Sequence, residues 1–280
     1  MPHTPSVPEQ NRYPGPGAPP LAVWPCAQTP LVAQRRQRCL TPPVAPAALA
    51  MLPELAERLI AEFSEPGQVV ADVMCGSGTV TLAAVRAQRR VVALDGEPEC
   101  LAQTAMHLSY AEEPANRRVL ELVQGDARLA ASLFTGHRLD LAVVDPPAPG
   151  AAVVPGDYPD SNLAGLAGAD YTRALTDALA AVAVRMRPGG RLVLLAPALA
   201  AGGGVGVEHL VRSGTDAGLD YLQHIIALSG PLVGDTLTPG PAHPAGSAPT
   251  AATGRHRPVH RHLLAFVTPA PAAAEGGARR

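Results

Sequence analysis

The chain has 280 residues, with 22 basic and 24 acidic side chains, a formal net charge of −2 and 47% hydrophobic residues. That length suits one α/β domain with tails better than two full domains, and the small charge excludes an overall polybasic surface, so any nucleic-acid contact must be local. Cys26, Cys39, Cys75 and Cys100 form no C-x-x-C pair and have no His at ligand spacing, and no apolar run reaches transmembrane length. We therefore expect no metal, no disulfide framework, no membrane partner and no secretory leader, hence a reduced, cytoplasmic protein whose oligomeric state is left open.

Residues 1–20 are rich in Pro and Gly without an apolar period and are expected to be disordered. The arm from Leu21 to Leu40, LAVWPCAQTPLVAQRRQRCL, carries the only Trp, Trp24, and the cluster Arg35, Arg36 and Arg38. Two readings stay open. Either the cluster grips a phosphate backbone with Trp24 or Gln28 near a base or cofactor, or the arm packs on the domain through Leu31 and Val32. MLPELAERLIAEFSEPG then reads as a helix: Pro53 suits the first turn, Glu54 suits the N-terminal dipole, and Leu55, Leu59, Ile60 and Phe63 share one face.

Gln68–Thr79, QVVADVMCGSGT, is an apolar strand, a small-residue turn and the start of a helix. Cys75-Gly76-Ser77-Gly78 removes bulk, so the backbone can turn sharply and approach a ligand, and a helix N-terminus suits a carboxylate or phosphate. A nucleotide-like cofactor fits this pattern, as does a plain tight turn. RRVVALDGEPE adds a second strand ending in Asp95, with Glu97 placed to accept from ribose hydroxyls; LELVQGDAR adds a third ending in Asp126, and LDLAVVDPP a fourth ending in Asp145. Helices are expected at about Thr79–Ala87, Glu97–Glu112 and Ala127–Leu133. Any one Asp could be a helix cap, but three acids ending successive strands mark the sheet edge where ligands bind in α/β folds.

The Gly- and Pro-rich linker PAPGAAVVPGDYPDSNLAGLAGAD is long enough for a lid or binding loop, and Tyr158 and Tyr171 are either stacking partners for a flat substrate or packing residues. A helix from about Tyr171 to Met186, a turn at Pro188-Gly189-Gly190, a fifth strand RLVLLAP, a short helix VEHLVRSGTDAG and a sixth strand YLQHIIALSG follow. A mobile loop over 238–258 and a seventh strand, HLLAFVT, complete a domain spanning 21–268, with a disordered tail at 269–280.

Asp145-Pro146-Pro147 is the sharpest chemical clue. Two prolines hold the backbone extended, so the Asp145 carboxylate and the Pro146 carbonyl can point together into a cleft. Two such acceptors hold both hydrogens of an exocyclic amine and aim its lone pair at an electrophilic methyl group, a case of catalysis by positioning. A proline-stiffened loop is the alternative for the tripeptide alone.

The ordered series DVMCGSGT, ALDGEPE, QGDAR and VVDPPA resembles the amino-methyltransferases that use S-adenosylmethionine, specifically the N6-adenine and N4-cytosine DNA methylases. The resemblance covers about Leu21 to Thr268, and AQTPLVAQRR resembles the arm of short actinobacterial members. It implies an α/β, Rossmann-like class I methyltransferase fold, with a seven-stranded, mostly parallel sheet whose last strand is antiparallel. It also implies that Asp72, Cys75, Gly76, Gly78 and Thr79 lie at the cofactor, that Asp95 binds its ribose and Asp126 its adenine amine, and that Asp145, Pro146 and Pro147 hold the target amine. Tyr158, Arg35 and Arg36 are the candidate substrate contacts, with DNA favoured over RNA as partner.

Ala148 departs from the family, which usually has a base-stacking aromatic there, and Val73 stands where Pro is common. A guanine-N2 RNA methyltransferase and a catalytically weakened S-adenosylmethionine-binding protein remain as alternatives. The glycine turn and Asp95 also permit an NAD-dependent oxidoreductase, against which the missing third glycine and the Asp-Pro-Pro corner argue.

Overall fold

The computed structural model describes residues 21–43, 51–111, 115–149, 162–196, 205–238 and 259–270. The expected disordered segment at 1–20, the part of the expected 269–280 tail from residue 271 on, Tyr158, and residues 239–258 of the expected mobile loop lie outside the described residues.

Strand β1 (Val23–Pro25) and helix α1 (Leu31–Gln37) form the arm, and α2 (Pro53–Phe63) follows. Strands and helices then alternate: β2 (Val69–Val73), α3 (Thr79–Arg86), β3 (Arg90–Asp95), α4 (Pro98–Ser109), β4 (Val119–Gln124), the short α5 (Ala130–Leu133) and β5 (Leu139–Val144). After these come α6 (Gly168–Ala183), β6 (Met186–Leu195), α7 (Val207–Asp216), β7 (Asp220–Leu228), the small hairpin β8 (Leu232–Val233) and β9 (Thr236–Leu237), and β10 (His260–Val267). One sheet has the order β1-β7-β10-β6-β5-β2-β3-β4. Strand β10 is antiparallel to β6 and β7, and the remaining pairs are parallel.

The fold is thus the expected Rossmann-like one, with an eighth strand contributed by the arm. β1 pairs with β7 through Val23 and Ile226, and packing, not surface display, describes this part of the arm. Trp24 is 1% exposed, its indole N–H donates to the Leu21 carbonyl, its ring centroid lies 6.3 Å from that of Phe63, and the Arg58 guanidinium stacks 4.7 Å from it. Trp24 is a core residue, so it is not placed beside a base.

Side chains alternate across the sheet. On one face Val70, Leu141, Val143, Val193 and Leu263 pack with α2, α3 and Trp24. On the other, Ala71, Val73, Ala142, Val144, Leu194 and Leu264 pack with α6 and its neighbours. The turn expected at Pro188-Gly189-Gly190 instead lies inside β6: the β5–β6 register shifts between Leu139 and Leu141, and Gly189 takes φ +75°, so the chain absorbs the glycines as a bulge. The helix expected at Ala127–Leu133 is a 3-10 turn followed by α5.

Strand order reverses between β5 and β2. Ligands in open α/β sheets bind outside the carboxyl ends of strands at such a reversal. The glycine turn begins there, where β2 ends. Met74, Gly76 and Gly78 take φ of 61°, 53° and 71°, a left-handed run that doubles the chain back into α3. A Cβ on Gly78 would lie 2.6 Å from the Thr104 side chain of α4, whereas nothing lies within 4 Å of one on Gly76. Gly76→Ala should therefore cost about 1–2 kcal/mol for its dihedral alone, and Gly78→Ala roughly 1–3 kcal/mol more for overpacking, as read by urea denaturation. Equal losses would contradict the close packing of the turn on α4.

Candidate active site

Two buried carboxylates hold the glycine turn. Asp72, in β2, is 3% exposed, and its Oδ2 accepts the Thr81 N–H at 2.8 Å and the Thr81 hydroxyl at 2.7 Å. It caps the first turn of α3 from the preceding strand, where an anion also meets the positive end of the helix. Burial pushes its carboxyl up to about 7, with the Thr81 bonds opposing and the charges of Asp145 and Asp95 adding to the rise. Asp95, at the end of β3, accepts the Gly76 N–H at 2.7 Å and the Glu97 N–H at 2.9 Å, and burial raises its pKa as well. Cys75 packs 3.8 Å from the Thr104 hydroxyl, and burial pushes its thiol well above the ordinary range, so it is no nucleophile.

The arm closes over this turn. Arg35 is 5% exposed; its Nε donates to the Thr41 carbonyl at 3.1 Å, and its Nη2 approaches the Ser77 hydroxyl at 3.5 Å. Arg38 is held by Glu57 at 2.5 and 2.7 Å, and Arg36 is exposed. The basic cluster expected at a phosphate backbone is thereby split, because Arg35 turns inward to satisfy the carbonyl that follows α1. His107 of α4 accepts the Thr41 N–H at Nε2 (3.0 Å), which leaves Nδ1 to donate to the Ser77 carbonyl at 2.8 Å. Gln103 donates to the Thr41 hydroxyl at 3.0 Å and the Pro42 carbonyl at 2.6 Å. Sequence reasoning missed both residues. Their signal was a set of polar residues, Gln103, Thr104 and His107, recurring on the buried face of an otherwise ordinary helix.

Asp145 follows β5 beside the turn, its N–H 3.5 Å from the Val73 carbonyl. Its carboxylate was expected to face a cleft as a free acceptor. Instead Arg261, from β10, donates to Oδ1 at 2.5 Å and to Oδ2 at 3.2 Å. Tyr171 is fully buried, and its hydroxyl donates to the Pro147 carbonyl at 2.9 Å. It pins the Pro-Pro corner from α6 and is a packing residue, with burial raising its phenol pKa. Ala148 is itself buried, at 4% exposed. Asp126 accepts the Arg128 N–H at 2.9 Å and is bound by the Arg128 guanidinium, so its carboxylate is tied within its own turn.

The arrangement brings Asp72, Asp95, Asp145, Gly76, Gly78 and Thr79 to one edge of the sheet. A cavity of about 470 Å³ lined by Arg138, Met186, Arg187 and Thr268 lies at the opposite edge, away from these acids. Among the described residues two buried atoms of Arg35 and Glu97 lack a partner: Arg35 Nη1, a donor, and Glu97 Oε2, an acceptor. Among the described residues the N–H groups of Ser77, Thr79 and Val80 also meet no acceptor. Such a set fits a ligand that carries both a carboxylate and hydroxyl groups.

Residues 20–106 match the model of a family described as DNA methylase. The match covers the arm, the glycine turn and Asp95, stops before Asp126 and Asp145, and bears out the resemblance to methyltransferases that use S-adenosylmethionine. No curated protein matches the chain. Among solved structures it is similar to TrmN from Thermus thermophilus (17% identity, TM-score 0.48, 84% of this chain and 53% of that one). It is also similar to a TehB-like SAM-dependent methyltransferase from Corynebacterium glutamicum (16%, 0.46, 85% and 96%) and to the magnesium protoporphyrin IX methyltransferase of Synechocystis (15%, 0.47, 76% of each). The chain thus spans about half the length of the first of these.

His107 gives the site a pH dependence. Burial holds its pKa below the ordinary value; the bond to Ser77 opposes this and the charge of Arg35 adds to it. The stability contributed by the neutral imidazole is complete above about pH 6.5, the unfolded value, and is lost as pH falls through the lower folded value. Asp72, whose neutral form is favoured, acts in the opposite sense, so the comparison must be with His107→Gln. In urea denaturation the wild-type advantage over that variant should shrink between pH 7 and pH 5. An advantage that stays constant contradicts the neutral, Nδ1-protonated assignment.

Proposed function

We propose that this chain, an S-adenosylmethionine-dependent methyltransferase, methylates the exocyclic amine of a nucleic-acid base, adenine N6 or cytosine N4 in DNA. The observation that supports this most is the position of Asp145-Pro146-Pro147 beside the glycine turn, on adjacent central strands at the point where strand order reverses. The bound cofactor supplies an electrophilic methyl group on a sulfonium. Asp72 fixes the start of α3, and Asp95 fixes Gly76. Glu97 Oε2 suits a ribose hydroxyl, and Arg35 Nη1 suits the carboxylate of the methionine part, so we assign Arg35 to the cofactor side of the site. Asp126, expected at the adenine amine, must leave Arg128 to serve there.

At the acceptor side, the Asp145 carboxylate and the Pro146 carbonyl take the two hydrogens of the amine, which turns its lone pair toward the methyl group. Transfer of that methyl group would leave the amine nitrogen with one proton to release, for which Asp145 is the adjoining acceptor. Tyr171 keeps the corner from collapsing by holding the Pro147 carbonyl. Ala148 gives up the stacking that an aromatic provides, worth roughly 1–3 kcal/mol per base, so weak base binding is expected unless Tyr158 or another side chain substitutes.

Labelled methyl transfer to unmethylated DNA and, separately, unmodified tRNA, with the nucleosides identified by mass, tests the proposal. Label should appear in N6-methyladenine or N4-methylcytosine, and Asp145→Ala should lower kcat/KM on the order of 10²-fold while cofactor affinity holds. Label in N2-methylguanosine of tRNA would replace the DNA reading with the RNA one. An Asp145→Ala variant as active as wild type would remove the assigned acceptor.

A further inference from the structure

We propose that Arg261 is a gate on Asp145, opened by a phosphate of the substrate and so making a phosphate-bearing substrate a condition of methyl transfer. The inference rests on the methyltransferase reading above and concerns a residue that reading does not use. Arg261 is the second residue of β10, on the strand edge that meets the carboxyl ends of β6 and β7. Its guanidinium fork spans both oxygens of Asp145, and the two side chains are only 16% and 19% exposed. While that fork is in place, both oxygens of the Asp145 carboxylate, one of the two acceptors assigned to the amine, are held by a cation.

A neutral amine cannot displace it. The amine brings no charge to the carboxylate, whereas the guanidinium is a cation that holds both of its oxygens at once. An anion offered to the same guanidinium can. Phosphate oxygens match the guanidinium fork as well as a carboxylate does. The pair also leaves Arg261 incompletely satisfied: among the described residues its buried Nε meets no partner, and its further contact, Nη2 to the Ala196 carbonyl, is 3.5 Å long. An anion received at the Nε edge would satisfy that donor and draw the fork from Asp145. The flanking His260 and His262 bond to each other at 3.2 Å, and His262 to His224 at 2.8 Å, so those imidazoles are engaged with one another instead of with Asp145.

The shared chemistry is a phosphate monoester or diester, and the experiment separates the two. Initial rates of labelled methyl transfer are measured for deoxyadenosine and deoxycytidine, their 5′-monophosphates, and an unmethylated duplex. The proteins are wild type, Arg261→Gln and Arg261→Lys, with folding checked by thermal melts. Wild type should favour phosphate-bearing substrates over nucleosides by about 100-fold or more in kcat/KM, and Arg261→Gln should shrink that ratio about tenfold by raising KM for the duplex and releasing activity on nucleosides.

Wild-type activity on the monophosphates equal to that on the duplex identifies any phosphate as the opener. Activity on the duplex alone identifies the phosphodiester backbone. Arg261→Lys keeps a charge for Asp145 without the fork and should fall between the other two, and it carries the measurement if Arg261→Gln does not fold. A merely structural role would lower every rate in proportion, so an unchanged ratio in the variants overturns the gate. A wild type that methylates none of the substrates overturns the DNA reading beneath it.

Discussion

A carboxylate buried at the end of a parallel strand must find N–H donors, and at the centre of this sheet the donors belong to the glycine turn. Asp72 takes the N–H and hydroxyl of Thr81, and Asp95 takes the N–H of Gly76. One acid therefore anchors the helix that follows the turn, and the other anchors the turn itself. The left-handed dihedrals at Met74, Gly76 and Gly78 are the conformational cost of meeting both acids within a few residues. The proposed cofactor side of the site, its closeness to β5 and the path of the arm all depend on this arrangement.

Around that anchor the charges form a pattern. Asp95 and Asp145 are close enough to disfavour ionisation of Asp72, and cations enter from two directions: Arg35 from α1 and Arg261 from β10. Among the described residues neither cation is fully satisfied, since Arg35 Nη1 and Arg261 Nε are both buried without partners. Buried donors left unpaired are expensive, so these two mark places where a ligand group completes the structure. The first belongs to the arginine that reaches Ser77 in the turn, and the second to the arginine that holds the acid of the Asp-Pro-Pro corner. On the proposed reading these are the donor and acceptor subsites of the methyl transfer.

What was legible in the sequence was whatever repeats or is local. The strands ending in Asp95 and Asp145 and the helix of Leu55, Leu59 and Ile60 came from period and flanking residues, and the antiparallel last strand came from the family resemblance. β1 was not legible, because three residues ending in proline show no period and gain their pairing only from β7. Arg35 and Arg38 announced their charge but not their burial, which is set by the Thr41 carbonyl and by Glu57. Arg261 sits where a Gly- and Pro-rich run meets a strand and pairs with an acid 116 positions earlier, a separation that leaves no spacing signal. His107 was silent for a related reason, since its partners Thr41 and Ser77 are local neither to it nor to each other.

Isothermal titration calorimetry of S-adenosylmethionine, with NAD as the comparison ligand, bears most directly on the claim that the glycine turn held by Asp95 is a cofactor site. Wild type should bind S-adenosylmethionine at a single site and not bind NAD, and Asp95→Ala should weaken that binding about tenfold or more through loss of the bond that fixes Gly76. Binding of equal strength in the variant, or binding of NAD in place of S-adenosylmethionine, would contradict it.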